Sequence, residues 1–469
     1  MIMGKTINLN SIKKFFSPAQ YDLDTNIKEN PKSTVYKLAI PTLISLLFLN
    51  INGLMDNMWI SGLGTDSLAG VGFILSIFTV IIGIGSGLGI STTTTLSPAI
   101  ADKNHSLVDK ITINSLIATL ITGVIISLML VIFLKPMLNI LNVKTALGSA
   151  LDYGYILFGG MLVFFFASVV PAILKARGDL KKITYTMVST SFLNMILDPI
   201  LIYKLNLGVK GAAIATVFCS FICCIMLSYF TFKNNEKRDL KSSLKIDLSI
   251  IKDLIFLAIP IISESFVLSI IGLIFTILFN TFGTTVDVAI FTIIFKIYCL
   301  AVIPIIAISD SAVIISAYLS TSYKLNELKN IIKYMMKIGI IFSLIIWIII
   351  IFLNDIIAEL FLAVHTDILF KTLLANNMKL MLFIIIPLTI GLISTSVLKG
   401  LKLGKISFVL SVTRSLILEV IFSLIFILVF HLGTIGIYYG MITGTMIGSL
   451  ICLIVSISCT DKFFKKLES

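Results

Sequence analysis

The sequence predicts an all-α membrane protein with twelve transmembrane helices in two pseudo-symmetric six-helix lobes. The 469 residues are 58% hydrophobic and 13% charged, with a mean hydropathy of +1.08, which lies far outside the composition of soluble domains. Twelve apolar stretches have the length of about 20 residues that crosses a hydrocarbon core of ~30 Å. Motifs of the first half recur in the second half, which indicates an internal duplication.

The apolar stretches alternate with polar segments, and each stretch is long enough for one membrane-spanning helix. The predicted spans are 36–60, 68–96, 110–134, 150–174, 183–203, 211–232, 251–280, 286–318, 333–353, 380–398, 406–430 and 436–457. Because their number is even, both termini are expected on the same side of the membrane.

The duplication is visible as short motifs that repeat at a nearly constant offset. The repeated motifs are LAIP at 38–41 and 257–260, LK at 174–175 and 398–399, and LG at 207–208 and 432–433. Two sets of six spans in the same orientation form a parallel repeat, an architecture of transporters with substrate between the halves. The predicted organisation is a tail at 1–35, lobes at 36–232 and 251–457, a linker at 233–250 and a tail at 458–469.

The distribution of Lys and Arg predicts the orientation. If the termini are cytoplasmic, 28 basic residues lie on the inside and 6 on the outside. This bias follows the positive-inside rule, because basic loops are retained in the cytoplasm. The chain is therefore expected in the cell membrane with both termini and the linker cytoplasmic.

Several functional classes are disfavoured by the sequence. The net charge of +12 is dispersed in short runs between spans, so no clustered basic face for nucleic acid is predicted. The six cysteines form no CxxC pair, and no GxxxxGK[ST] motif for nucleotide binding occurs. No nucleophile with a base is apparent either, so we do not expect an enzyme, and transport would depend on an ion gradient or on a partner protein.

The strongest candidate site lies in the fifth span. Asn194 and Asp198 stand four residues apart, which places them on one helix face. A charged side chain in the bilayer costs at least ~2.5–3.5 kcal/mol, so such a residue is by default functional. Pro199 follows the acid and interrupts backbone hydrogen bonding, which predicts a hinge.

Two residues of other spans are predicted at the same depth. With a rise of ~1.5 Å per residue, Asp56 in the first span and Thr216 in the sixth reach the level of Asp198 in the outer half of the first lobe. Carboxylate, amide and hydroxyl oxygens suit a small cation such as Na⁺. Two neighbouring carboxylates would equally create a proton site, so the coupling ion stays open between Na⁺ and H⁺.

Other intramembrane residues support weaker predictions. Glu264 in the seventh span and Lys296 in the eighth fall at similar depth, which predicts a structural ion pair. Met161 and Phe165 belong to an aromatic-rich segment that could line an apolar, polarizable substrate cavity.

The chain resembles the multidrug and toxin extrusion (MATE) family from about Tyr36 to Ser456. The motifs that carry the resemblance are LAIP at 38–41, the Asp56 segment followed by GLG and SLAGVG, LKARGD at 174–179, NMILDP at 194–199 and LGVKGAAIATV at 207–217. The resemblance implies two six-helix lobes around a central cleft and export of cationic or amphipathic compounds in exchange for Na⁺ or H⁺. It implies no other cofactor.

The resemblance also implies a cation site. In the DinF-like branch, an Asp of the first helix, an Asn and Asp of the fifth and a Thr of the sixth hold the cation, and these match Asp56, Asn194, Asp198 and Thr216. The tenth span lacks the acid of the NorM-like branch. We expect a monomer whose partners are small molecules and the lipid bilayer. The alternative is a lipid or lipid-linked-sugar flippase of the same superfamily, disfavoured because only Lys296 and Arg414 are basic within the spans.

Overall fold

The computed structural model describes residues 31–140, 146–233, 246–320, 325–362 and 368–468, and this part of the chain is almost entirely helical. The helices are α1 (Pro31–Ser61), α2 (Thr65–Ala101), α3 (His105–Ile140), α4 (Leu147–Gly159 and Met161–Ala176), α5 (Leu180–Pro199, continued by a π turn at Ile200–Lys204), α6 (Val209–Lys233), α7 (Leu248–Phe282), α8 (Thr285–Ala301 and Ile303–Leu319), α9 (Leu325–Leu362), α10 (Ile368–Leu382 and Ile385–Gly400), α11 (Gly404–Val412, a π turn at Thr413–Leu418, and Glu419–Leu428) and α12 (Gly433–Glu468).

The described helices confirm the twelve predicted spans. Ten helices are each long and apolar enough to cross a membrane. The two bent helix pairs, α4 and α8, bring the number of spans to twelve when each pair counts as one span. The two segments of α4 are bent by 46° and those of α8 by 44°. The bend of α8 lies at Val302, inside the predicted span 286–318. Pro304 stands two residues later and offers no N–H to the preceding turn, which explains a break at this position.

The turns of the two halves share unusual backbone conformations. Asn206 and Gly208, between α5 and α6, have φ of 53° and 55°, and His431 and Gly433, between α11 and α12, have 54° and 60°. This left-handed region is costly for residues other than glycine, so its recurrence at an offset of 225 is specific. The pseudo-symmetry predicted from the repeated motifs thus extends to the turn geometry.

The hydrophobic clusters show where the two lobes meet. On the side of the termini, one cluster joins Val35 and Leu38 of α1 to Ile308 and Ile315 of α8. On the opposite side the clusters separate: one contains only residues between Ile60 and Ala213, and another only residues between Ile271 and Ile442. The central cleft is therefore closed at the side of the termini and opens at the opposite side, which we call the open side.

The predicted domain boundaries lie partly outside the described residues. Of the predicted tail at 1–35 and linker at 233–250, the structure describes 31–35, 233 and 246–250. Helix α1 already begins at Pro31, and α12 continues to Glu468, so most of the segment 458–469, expected as a tail, is helical. The division into tails, lobes and linker stays a prediction.

Candidate cation site in the first lobe

Helix α5 carries a polar face in the interior of the first lobe. Asn194 and Asp198 are 2% and 0% exposed, and they continue a line of buried hydroxyl residues, Thr186 and Thr190. The Asn194 Nδ2 donates to Asp198 Oδ1 at 3.3 Å, as the spacing of four residues allows. The hydroxyls of this face bond back to carbonyls one turn earlier, so the face is polar without unsatisfied groups until Asp198.

Helix α1 packs along this face and adds Asp56. The carboxyl groups of Asp56 and Asp198 lie within hydrogen-bonding reach of each other. Asn52, one turn before Asp56, donates to Asn194 Oδ1 at 2.7 Å and lies 3.5 Å from Asp56 Oδ2. One side-chain amide therefore connects α1 to α5 at the level of the two acids.

Helices α4 and α6 close the site. Tyr153 of α4 is 3% exposed and lies beside the Thr216 side chain of α6. Thr216 Oγ1 donates to Ala212 O at 3.0 Å, which leaves the lone pairs of that oxygen available. Tyr153 is close enough to both acids to interact with them electrostatically. The structure thus brings together the four residues selected from the sequence.

The charges of this site are uncompensated. Asp56 Oδ1 and Asp198 Oδ2 are buried and receive no hydrogen bond in the described part of the chain. No Lys or Arg of the described residues forms an ion pair with either acid. A buried carboxylate with one oxygen unbonded and no counter-charge is strongly unfavourable. The oxygen donors present fit one small hard cation, or a proton shared between the acids.

Backbone irregularity begins directly after the site. Helix α5 changes to a π turn at Ile200–Lys204, immediately beyond Pro199. Single π turns inside α-helices often occur at functional positions. The hinge predicted at Pro199 stays a prediction, and the change in helix type gives it a local structural basis.

The predicted ion pair between Glu264 and Lys296 is wrong. Glu264 is 4% exposed and pairs with Lys399 of α10, at 2.9 Å between Oε1 and Nζ. Ser411 of α11 donates to the same oxygen at 2.9 Å. Lys296 is exposed on α8 instead. Depth counting placed both residues at one level but could not give the rotation of each helix.

The predicted substrate cavity at Met161 and Phe165 is also absent from this conformation. Both side chains are 0% exposed and belong to the hydrophobic core of the first lobe. Phe165 packs over Gly85 of α2 and Gly123 of α3, where the absence of side chains admits its ring. These residues stabilise the lobe and do not line the cleft.

Sequence reasoning missed Asn52 and Tyr153. Asn52 carried a signal, because it stands four residues before Asp56 and therefore on the same face. Tyr153 carried none, because its segment contains several aromatic residues and only packing selects the one that faces the acids.

The second lobe contains a different buried charged group. Arg414 of α11 is 1% exposed and packs against Gly391 of α10 and Gly448 of α12. Glu419, one π turn further, accepts a hydrogen bond from Thr445 at 2.7 Å and lies within electrostatic range of Arg414. With Glu264 and the partly buried Lys399, the interior of this lobe holds two acids and two bases.

Comparison with known proteins identifies the family. The MatE family model matches residues 41–200 and 260–425, which is more than half of the chain. The chain belongs to the MATE family. The match covers one segment in each lobe and includes Asp56, Asn194 and Asp198.

The alignments with curated relatives cover about half of this chain or less. A probable multidrug resistance protein NorM of Thermotoga maritima is 26% identical over 51% of this chain and 52% of its own length. A FAD transporter of Shewanella oneidensis is 29% identical over 41% of this chain and 43% of its own length. The chain thus spans about half the length of the curated relatives it matches.

Solved structures of the family match nearly the whole chain. A crystal structure of MATE in complex with MaL6 has a TM-score of 0.88 and 26% sequence identity, and covers 93% of this chain and 98% of its own. A transporter of the MOP superfamily from Pyrococcus furiosus, described as having a binding pocket of reverse polarity, has the same TM-score of 0.88 and 26% identity, with 93% and 97% coverage. The twelve-helix fold with two lobes around a cleft is confirmed.

Proposed function

We propose that this MATE protein is a secondary active efflux transporter of amphipathic small organic molecules, driven by Na⁺ or H⁺ bound in the first lobe. The observation that carries the proposal is the contact between Asp56 and Asp198, two acids that share a buried site without a basic partner. Such a site requires a cation or proton for charge balance, so its occupancy depends on the ion gradient.

Cation binding would act on helix packing. Asn52 links α1 to Asn194 of α5, and the acids at the same level repel each other when both are ionised. A bound Na⁺ or proton removes this repulsion and lets α1 and α5 approach. The π turn beyond Pro199 offers a place where α5 can bend.

Coupling follows if this repacking changes the cleft wall formed by the first lobe. Coupling between two ligands is reciprocal, so a cation that weakens substrate binding is itself bound less tightly when substrate is present. A coupling free energy of ~1–3 kcal/mol changes affinity roughly 5- to 150-fold. An inward ion gradient can then drive substrate outward across a membrane in which the termini are cytoplasmic.

The names of the relatives support export of small molecules. The NorM relative is described as a probable multidrug resistance protein, and a relative from Staphylococcus aureus as multidrug export protein MepA. Flipping of lipid-linked sugars has weaker support, because Arg414, one of the two basic residues within the spans, is buried in the second lobe away from the cleft.

The test uses purified protein in liposomes with separately imposed Na⁺ and pH gradients. Asp56→Asn and Asp198→Asn are each expected to fold normally and to lose gradient-driven efflux of a fluorescent dye, because a neutral amide cannot alternate between a charged and a cation-bound state. Asp66→Asn is the matched control, since Asp66 is exposed at the start of α2. Undiminished gradient-driven efflux by the Asp56→Asn, Asp198→Asn double variant would refute the proposal.

A further inference from the structure

Lys296 is an intramembrane cation that has no ion-pair partner among the described residues. It lies 11 residues after the start of α8 at Thr285, or ~16 Å along the helix at ~1.5 Å per residue. Its side chain is exposed and forms no ion pair with any described residue. An ammonium group facing lipid at this depth is costly, so the exposed position requires water or an anion beside it.

The face of α8 that carries Lys296 continues into the face that contacts the first lobe. Steps of three or four residues connect Thr292, Lys296 and Cys299 to Ile303 and Asp310 along one face. Asp310 forms an ion pair with Lys175 of α4 at 2.9 Å, so this face meets the first lobe at the closed side. The opposite face, with Phe291 and Ile294, is buried in the core of the second lobe. Beyond the bend at Val302, towards the open side, the same face is exposed where the lobes separate and would border the cleft.

An apolar groove lies next to this position. It has a volume of about 300 Å³ and runs between α1, α8 and α9. Its lining residues are Leu47, Ile297, Leu300, Ala301, Pro304, Ile346 and Ile350. Leu300 stands one turn below Lys296, so the charge lies at the edge of an otherwise apolar surface.

The remaining charges of the described spans do not balance Lys296. Asp56 and Asp198 lie inside the first lobe, and Glu264 is paired with Lys399. Asp310 is paired with Lys175, and Glu419 is buried. Asp287 accepts bonds from Thr284 at the outer end of α8. Within the described residues, the fixed charge of the cleft wall at this depth is positive.

We propose that the cleft binds the anionic group of an amphipathic molecule at Lys296, with its apolar part in the groove between α1, α8 and α9. The anionic group is a carboxylate, phosphate or sulfonate, because each accepts hydrogen bonds from an ammonium group. This inference rests on the proposed function and specifies its substrate class. It differs from the expectation of cationic compounds, because a lone ammonium group repels organic cations.

The first experiment tests whether Lys296 faces a water-filled cleft. Cys299 stands one turn away on the same face and is an exposed cysteine, whereas Cys219, Cys223, Cys224 and Cys452 are buried. In a variant with Cys459→Ser, a charged, membrane-impermeant maleimide added from the open side is expected to label Cys299. Failure to label Cys299, with normal labelling of the Asp66→Cys variant, would place the face in lipid and overturn the proposal.

The second experiment measures ligand charge preference without a gradient. Dansyl-glycine and dansyl-ethylenediamine carry the same fluorophore with opposite charge, and their binding to protein in phosphatidylcholine nanodiscs is followed by fluorescence anisotropy. The wild type and Lys296→Arg are expected to prefer the anion, while Lys296→Met loses about ten- to hundredfold in anion affinity, as for a hydrogen bond to a charged group. Lys135→Met, at an exposed position of α3 in the first lobe, is the control.

The outcomes separate this proposal from the coupling proposal. Equal anion affinity of the wild type and Lys296→Met, or preference for the cationic probe, would overturn it. Competition by added phosphatidylglycerol would identify a lipid headgroup as the source of the anion, and no competition a free amphipathic molecule. The Asp56→Asn, Asp198→Asn variant has neutral side chains that mimic the cation-bound state, so it should bind both probes more weakly but keep the preference for the anion. Loss of charge preference in Lys296→Met and loss of gradient use in the acid variant are thus distinguishable.

Discussion

The two lobes share one helical architecture but differ in whether their buried acids have basic partners. In the first lobe, Asp56 and Asp198 contact each other and have no basic partner among the described residues. In the second lobe, Glu264 has Lys399, and Glu419 has Arg414 within electrostatic range. At the offset of 225 between the lobes, Asp198 corresponds to Ser423, a small hydroxyl residue.

This difference indicates which lobe can respond to a cation gradient. A carboxylate with a fixed counter-charge gains little from a mobile cation, because its charge is already balanced. A pair of unbalanced carboxylates is stable only with a bound cation or proton. The second lobe therefore has the features of a fixed framework, and the first lobe those of an ion-responsive element.

The largest expected effect on stability comes from replacing Arg414, because its removal leaves the second lobe with an uncompensated buried acid. Arg414→Met would leave Glu419 buried with only Thr445 as donor, and we expect a loss of ~3–5 kcal/mol in the free energy of unfolding. The double variant Arg414→Met, Glu419→Gln should regain most of this stability. Thermal unfolding in detergent, followed by size-exclusion chromatography, provides the measurement.

Asp198→Asn in the first lobe is the matched comparison for Arg414→Met. It removes an acid that has no counter-charge, so it should leave the unfolding midpoint unchanged or raise it. If Asp198→Asn destabilised the protein as much as Arg414→Met, the proposed distinction between the lobes would be wrong.

A smaller effect is expected for Lys399, which corresponds to Lys175 of the first lobe at an offset of 224. Lys399→Met leaves Glu264 with Ser411 alone, and we expect a loss near the lower end of ~3–5 kcal/mol because the lysine side chain is 14% exposed. The double variant Lys399→Met, Glu264→Gln should restore thermal stability. A double variant as unstable as the single one would show that Lys399 stabilises through other contacts.

The smallest effect is expected for Lys175, whose partner Asp310 belongs to the other lobe. The two side chains are 29% and 33% exposed, so their pair contributes ~0–1 kcal/mol. Lys175→Met should leave the free energy of unfolding unchanged. It should shift the equilibrium between conformations in which the cleft is closed or open on the side of the termini by up to about fivefold.

This shift can be measured as distances between spin labels at positions 110 and 333, on the termini-side ends of α3 and α9, by pulsed EPR. The charge-exchanged variant Lys175→Asp, Asp310→Lys should restore the wild-type distribution. An unchanged distribution in Lys175→Met would exclude a contribution of this pair to lobe closure.

The sequence determined the fold class and the centre of the candidate site. Long apolar stretches have few alternatives to membrane helices, because backbone groups in lipid must be hydrogen-bonded within the segment. The motifs repeated at a nearly constant offset predicted the internal duplication. Asp56, Asn194, Asp198 and Thr216 could be selected because an acid in an apolar span is costly and rare, and because the rise per residue gives the depth of each side chain.

Only the tertiary structure decided which side chains meet at a given depth. The rise along a helix is fixed by backbone geometry, but the rotation of one helix against another depends on the packing of both surfaces. Glu264 therefore meets Lys399 and not Lys296, and Phe165 faces the core of the first lobe. For the same reason Tyr153 was not predictable as a neighbour of the acids. The exposed position of Lys296 became clear only when the structure showed which face of α8 packs in the core.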